Sequence, residues 1–409
     1  MKILYSLVLL LLLSVTMWVN SFANTIAQTH DDLYPIIENN KVGYINGLGG
    51  VVITPQFDVA GYRNGFVSTY GNFHNGLAVV AIDGKKGYID RTGKWVIEPQ
   101  FFDALPFSEG LAEVRIFDGV TRPGNWGYID LTGAFAIEPR FTTIEPFVNG
   151  IGIVHDVSQS GYIEKNGKPF IPQYGILPPY IEYRPFKGGV VWLADGTKSI
   201  LVDREAKIFP LPTIEDHHDF SEGIAAVRIG DKWGYIDTGG KIVIPAKFHD
   251  WSGGNDIGEF SEGLARITVF DKAGYIDRKG HFVIAAKYDS AGDFREGLAA
   301  VTLHLKTGFI NKQGKVVIPL RFFAASPFQN GISNVQIGGK IGFIDKMGRY
   351  VIRPKFRFFS NFDGRLAMQT IRRAATRTEC QDADWGYINL HGDFVWKIKP
   401  GGPCIVRFY

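Results

Sequence analysis

What the sequence does not contain narrows the field first. Two cysteines, Cys380 and Cys404, in 409 residues are too few to build a disulfide scaffold. A formal charge of +3, with no long run of Lys or Arg, gives no electrostatic footprint for nucleic acid, so none is expected as a partner. The sequence holds no Gly-x-Ser-x-Gly elbow, no His-Glu-x-x-His helix, no phosphate-cradling Gly-Lys-Ser/Thr loop and no dinucleotide fingerprint. An enzyme and a cofactor are therefore not expected, although triads assembled from distant residues leave no such trace. Helix signals are sparse, confined to a weak stretch from Leu366 to Thr376.

Beyond residue 23 no apolar run is long enough to cross a bilayer. Residues 1–23 are different. Lys2 precedes an unbroken apolar stretch from Leu7 to Leu13, and Ser21 and Ala23 stand where a signal peptidase reads small residues. The expectation is a cleaved signal and a soluble exported protein, periplasmic or extracellular. The alternative is an uncleaved anchor, the one route by which a membrane would enter. In an oxidising compartment Cys380 and Cys404 either pair and clamp the C-terminal end or remain two thiols.

What is abundant is glycine, 49 residues, together with 14% aromatics. Much of it falls in a repeated phrase. Gly87-Tyr88-Ile89-Asp90 returns as Gly127-Tyr128-Ile129-Asp130, Gly234-Tyr235-Ile236-Asp237 and Gly274-Tyr275-Ile276-Asp277. Related starts stand at Gly43, Gly161, Gly308, Gly342 and Gly386, and a worn copy at Ile200-Leu201-Val202-Asp203 makes ten. A second phrase punctuates the first: Phe107-Ser108-Glu109-Gly110, Phe220-Ser221-Glu222-Gly223, Phe260-Ser261-Glu262-Gly263 and Phe294-Arg295-Glu296-Gly297. Such a period means one supersecondary unit stacked on copies of itself.

The unit reads as a strand after Glu-Gly, a strand through Gly-Tyr-Ile-Asp, a Gly-containing turn, a strand through Val-Ile, and a proline that ends the ladder. Alternation in Leu111–Ile116 predicts one buried and one wet face, with Glu113 and Arg115 on the wet side. Glycine before the aromatic leaves room for close approach by a neighbouring ring or backbone. The expected organisation is a signal at 1–23, a leader at 24–40, a repeat array at 41–396 and a tail at 397–409. The expected fold class is all-β, tandem three-stranded β-meander repeats stacked as a propeller-like ring or a curved β-solenoid.

Trp126-Gly127-Tyr128-Ile129-Asp130, Trp233-Gly234-Tyr235-Ile236-Asp237 and Trp385-Gly386-Tyr387-Ile388-Asn389 carry a resemblance. The chain resembles the WG-repeat, or KWG-repeat, proteins over about residues 41–396. That resemblance implies a β-rich repeat array in mostly bacterial, often exported proteins whose biochemical role is generally unassigned. Most copies depart from it in lacking Trp: Lys86, Ser160, Ala273, Thr307 and Ile341 fill that place.

Candidate chemistry is thin. Glu215-Asp216-His217-His218-Asp219 with His249-Asp250 could hold a divalent metal if the loops met, but the matching stretch elsewhere is an ordinary connector, so no metal is expected. Glu109, Glu222, Glu262 and Glu296 recur in near-identical settings, which suits backbone capping in the Glu-Gly turn better than acid-base work. Because the place before glycine tolerates Lys, Ser and Thr, Trp126, Trp233 and Trp385 are read either as partner contacts with a ring face in solvent or as cover for the edge of the neighbouring unit. The function expected from these features is a non-enzymatic exported scaffold presenting a surface to a protein or peptide partner. The alternative is a carbohydrate or cell-wall binder that stacks glycans on Trp and Tyr rings.

Overall fold

The computed structural model describes residues 32–59, 62–63, 66–67, 71–119, 122–155, 160–170, 186–194, 199–205, 207–249, 257–356, 358–359, 362, 366–370 and 385–397. Residues 1–23, Cys380 and Cys404 lie outside them. Every described element is a strand, and all strand pairing is antiparallel within small sheets. The fold is all-β, built of propeller-type blades in tandem. Ten repeats can be counted by their Gly-aromatic-Ile strands, the first two sharing one six-stranded sheet. They are numbered 1 to 10 in chain order below.

The complete unit has four strands rather than three. In repeat 6 the order is Asp216–His217, Ile224–Ile229, Lys232–Asp237, Ile242–His249. The added first strand is only two residues long and follows directly on the preceding repeat, which is why periodicity did not reveal it. Repeats 7, 8 and 9 follow the same plan at Ile257–Tyr288, Ser290–Phe322 and Ala324–Phe356. The array begins before residue 41, since Leu33–Glu38 pairs with Lys41–Asn46, and Ala367–Thr370 is strand where weak helix was expected.

Two compact units emerge. Residues 101–357 form one, in which repeats 3 to 9 occupy successive sheets. Residues 1–100 with 358–409 form the other, holding repeats 1, 2 and 10. Within it Tyr34, Ile36 and Ile45 of repeat 1 share a core cluster with Leu366, Tyr387 and Trp396 of repeat 10. First and last repeats are thus neighbours within this unit.

The expectation of one wet face fails for the two central strands. Lys232–Asp237 is buried at both parities, as are the first four residues of Ile224–Ile229. Glu113, placed on the wet side by alternation, is 1% exposed. The sheet of repeat 6 packs between those of repeats 5 and 7, so apolar residues are needed on both its faces. Only the third strand alternates, as in Ile242–His249, because it is the outer edge.

Close approach explains the glycine of the repeat. A Cβ on Gly234 would lie 2.5 Å from the carbonyl oxygen of Ile244, and one on Gly274 2.5 Å from that of Ile284. The third strand bulges over this glycine, its register jumping from Trp233↔Phe248 to Tyr235↔Ile244. The neighbour that comes close is therefore backbone of the same sheet. Proline sits inside this bulged edge strand, as Pro139 and Pro245 do, and not beyond its end. An edge bulge is where a missing amide donor costs least. Repeat 5 completes the argument: with Ile200 in place of glycine, its third strand shrinks to Ile208–Phe209, paired only with Leu201 and Val202.

Candidate binding surface

The aromatic of each Gly-aromatic-Ile strand reaches the following repeat. Tyr128 meets Phe147 at 4.8 Å between ring centroids, Tyr235 meets Phe260 at 5.0 Å and Tyr275 meets Phe294 at 4.8 Å. Their hydroxyls donate to main-chain carbonyls there, Tyr235 to Gly258 at 2.8 Å and Tyr275 to Gly292 at 2.6 Å. Burial is the main force raising both phenol pKa values, so these rings are neutral hydrogen-bonded spacers, unavailable to a ligand.

The recurrent glutamates serve the same junctions. Each sits in a two-residue Glu-Gly hairpin turn at positive φ, 51° at Glu222 and 53° at Glu262. Its carboxylate accepts from the amide of the next repeat's turn, not of its own. Glu222 takes Gly263 N at 3.0 Å and Glu296 takes Gly331 N at 3.0 Å. A basic side chain of that next repeat then pairs with it: Arg278 with Glu222 at 3.0 Å, Lys346 with Glu296 at 2.9 Å. Glu109 likewise accepts from Asn149 and Gly150 and lies 3.4 Å from Lys165. The structural role expected of these carboxylates holds, with the partner one repeat further on.

The solvent-facing reading fails for Trp233. Trp233 is 0% exposed, within the core cluster that includes Ile244 and Phe248. Trp126 is half-buried, with the Arg115 guanidinium over its ring at 5.8 Å. Trp385 is described only in its backbone, paired with Thr370. Lys86, Ala273, Thr307 and Ile341 at the same place are all buried, so tolerance of polar residues there does not mean exposure. This residue faces the aromatic that ends the third strand, as in Trp233↔Phe248 and Thr307↔Phe322. Among the described residues no Trp or Tyr side chain is exposed.

The His217 region does not assemble as a metal cage. Among the described residues no three of His, Cys, Asp or Glu converge on one point. His217 stacks on Trp192 at 4.0 Å, Asp219 pairs with Lys187 at 2.9 Å, and Glu215 accepts from Gly230 N at 2.9 Å. His249 is 3.4 Å from Asp231, and Asp250 lies outside the described residues.

A different region stands out, and sequence reasoning missed it. In repeats 1, 2, 6 and 9 the first and second long strands join through a two-residue turn: Asn39-Asn40, Asp83-Gly84, Gly230-Asp231 and Gly338-Gly339. These are the residue types that accept left-handed backbone in such a turn. Repeats 7 and 8 break the rule. Their turns are Phe270-Asp271, at φ 49° and 59°, and His304-Leu305, at φ 51° and 62°. Phe270 is 74% exposed and Leu305 82%. Bulky side chains are thus held in strained backbone and turned to solvent.

The tips are linked by the residue that follows each third strand. In repeat 7 that residue is Asp289, which pairs with Lys272 at 2.5 Å and accepts from His304 N at 2.6 Å, tying tip 7 to tip 8. Asp58 does the same in repeat 1, holding Lys41 at 2.5 Å and Asp83 N at 2.8 Å. Lys41 and Asp58 are 17 residues apart, as are Lys272 and Asp289. At that separation from Lys306 the chain has Phe323, 70% exposed. Phe323 is fixed by its backbone, its amide donating to Gln336 O at 2.8 Å and its carbonyl accepting from Thr307 at 3.4 Å. Exposed Ile337 ends the neighbouring strand.

Comparison with known proteins places the array. The WG containing repeat family matches residues 43–85, 87–119, 126–154, 212–233, 233–271, 274–304, 308–340 and 341–367. Among solved structures the chain is similar to a eukaryotic initiation factor, at 10% identity and TM-score 0.50, over 90% of this chain and 95% of that one. It is also similar to the computationally designed Ika8 protein, at 13% identity and TM-score 0.34, over 68% and 93% of the two chains. BamB from Moraxella catarrhalis is similar at 10% identity and TM-score 0.33, over 68% and 93%. Such identities speak to fold alone. No curated protein sequence matches the chain. With eight matched segments spread across ten stacked repeats of one β plan, the chain belongs to the WG-repeat family.

Proposed function

We propose that the protein is a non-enzymatic, exported repeat scaffold that holds a protein partner. One observation carries the choice of partner over glycan. Among the described residues the exposed large apolar side chains are aliphatic, phenylalanine or, at Met347, methionine, while every described Trp and Tyr side chain is buried or half-buried. Sugar binding by stacking needs an open Trp or Tyr face, whereas protein interfaces use aliphatic and Phe anchors freely. Spending the aromatic rings between repeats stabilises the array and removes them from ligand contact.

The reading is tested on the intact chain retrieved from its own cells under native conditions. A protein retained in stoichiometric amount through high-salt washing supports it. Retrieval of the chain alone, or a Trp fluorescence change on adding soluble cell-wall glycans that Trp126→Ala abolishes, overturns it.

A further inference from the structure

We infer that the tips of repeats 7 to 9 form the docking face, and that its occupant is a protein segment carrying apolar anchors flanked by carboxylates. The inference rests on the scaffold reading and gives that scaffold a face. Three observations meet there.

First, the turns of repeats 7 and 8 hold Phe270 and Leu305 at positive φ, where the two-residue turns of repeats 1, 2, 6 and 9 use Gly, Asn or Asp. Left-handed backbone is strained for a non-glycine residue. Among the described residues none covers Leu305, which is 82% exposed.

Second, Phe323 replaces the bridging carboxylate that Asp58 and Asp289 supply in repeats 1 and 7. Phe102 holds the equivalent position ahead of repeat 3, but there the longer hairpin supplies Phe117, 5.3 Å away, and the ring is half-buried. Repeat 9 turns at Gly338-Gly339 and offers no such cover, so Phe323 stays bare.

Third, the same replacement removes the acid that Lys41 and Lys272 enjoy. Lys306 is left exposed beside Leu305 and Phe323, with exposed Lys340 at the next tip. An apolar patch bordered by two lysines that lack the carboxylate of the equivalent sites is complementary to apolar side chains followed by Asp or Glu. Apolar contact supplies affinity, and the lysines supply orientation and encounter rate.

The probe is a displayed library of random peptides selected on the full-length chain. Enriched peptides are expected to pair Leu, Ile or Phe with Asp or Glu. The double variant His304→Asn/Leu305→Gly should weaken them by roughly thirtyfold, the size of a lost anchor. It should also raise the melting temperature, because the turn regains residues suited to it; a merely structural role for these side chains would lower it. Lys306→Glu should weaken binding severalfold and flatten its salt dependence without changing stability. Basic or charge-free enriched peptides, or equal binding to the turn variant, overturn the inference. So do vesicles of phosphatidylglycerol, or a second copy of the chain seen in sedimentation, that bind wild type and not the turn variant. A stoichiometric native partner unaffected by these variants leaves the scaffold reading standing and removes only its assignment to this face.

Discussion

The hydroxyl of Tyr387 donates a hydrogen bond to the carbonyl oxygen of Pro35, 3.0 Å away, across 352 residues of sequence. Elsewhere this bond runs from a repeat to the one that follows it, as from Tyr275 to Gly292. At Tyr387 the following repeat is the first, so the same chemistry that stacks the array also joins its ends. Trp396 and Leu366 bury against the same strand. Tyr387→Phe should cost about 1 kcal/mol, one hydrogen bond with a carbonyl left unpaired, and Trp396→Ala about 3 kcal/mol. Hydrogen exchange reads the consequence: Trp396→Ala should deprotect Tyr34–Ile37, although no covalent neighbour is touched. Unchanged protection there would show that the ends fold independently.

The bulge over each repeat glycine makes a steeper demand. Gly274→Ala would drive a Cβ to 2.5 Å from backbone oxygen, with no flexible side chain able to yield. A loss of roughly 3 kcal/mol or more in urea unfolding is expected, at the upper end for overpacking. Gly76→Ala, where nothing lies within 4 Å and only a φ of 81° is at stake, should cost about 1 kcal/mol. Equal losses at the two sites would mean that backbone conformation, not contact, keeps glycine at position 274.

These two glycines also show how far the sequence could be read. Period, turn chemistry and close approach are local, and Asp90 bonding the amides of Thr92 and Lys94 in its own turn is what Asp-x-x-Gly implies. Burial is not local. Lys86 and Thr307 look like surface residues until the neighbouring sheet is in place, and Glu113 alternates correctly yet is buried because both faces are covered. The tip of repeat 8 was legible in principle. His304-Leu305 violates the turn preference that Asp83-Gly84 obeys, but only alignment of the turns, rather than of the Gly-Tyr-Ile phrase, exposes the violation.

The Glu296 latch predicts acid sensitivity. Its carboxyl is held below the ordinary range, chiefly by the hydrogen bond from Lys346, with burial opposing and Gly331 N assisting. For a lowered carboxyl the stabilisation is fully present above the unfolded value and is lost as pH falls through the folded one. Glu296→Gln should therefore lower stability by about 1 kcal/mol at neutral pH, given a partly exposed pair plus one amide bond. As pH falls through the folded value the difference should shrink towards zero. A variant whose deficit persists undiminished in acid would place the effect in packing rather than charge.

Glu113 predicts the opposite sign. Its two carboxyl oxygens have no hydrogen-bond partner among the described residues, and burial pushes its pKa from 4.5 up to about 7. Tyr128 faces it across the strand pair, and the carboxylate helps to raise that phenol in turn. A folded state that binds its proton more tightly than the unfolded chain loses stability as pH climbs from the unfolded value to the folded one. The span corresponds to roughly 3 kcal/mol, with little further change in more alkaline solution. Glu113→Gln should remove that slope and leave the protein more stable than wild type at pH 8, while matching it near pH 4. Denaturant midpoints across this range decide the matter. A variant that keeps the slope would assign it to another group, and one that is weaker at every pH would mean that Glu113 has a partner stabilising its charge.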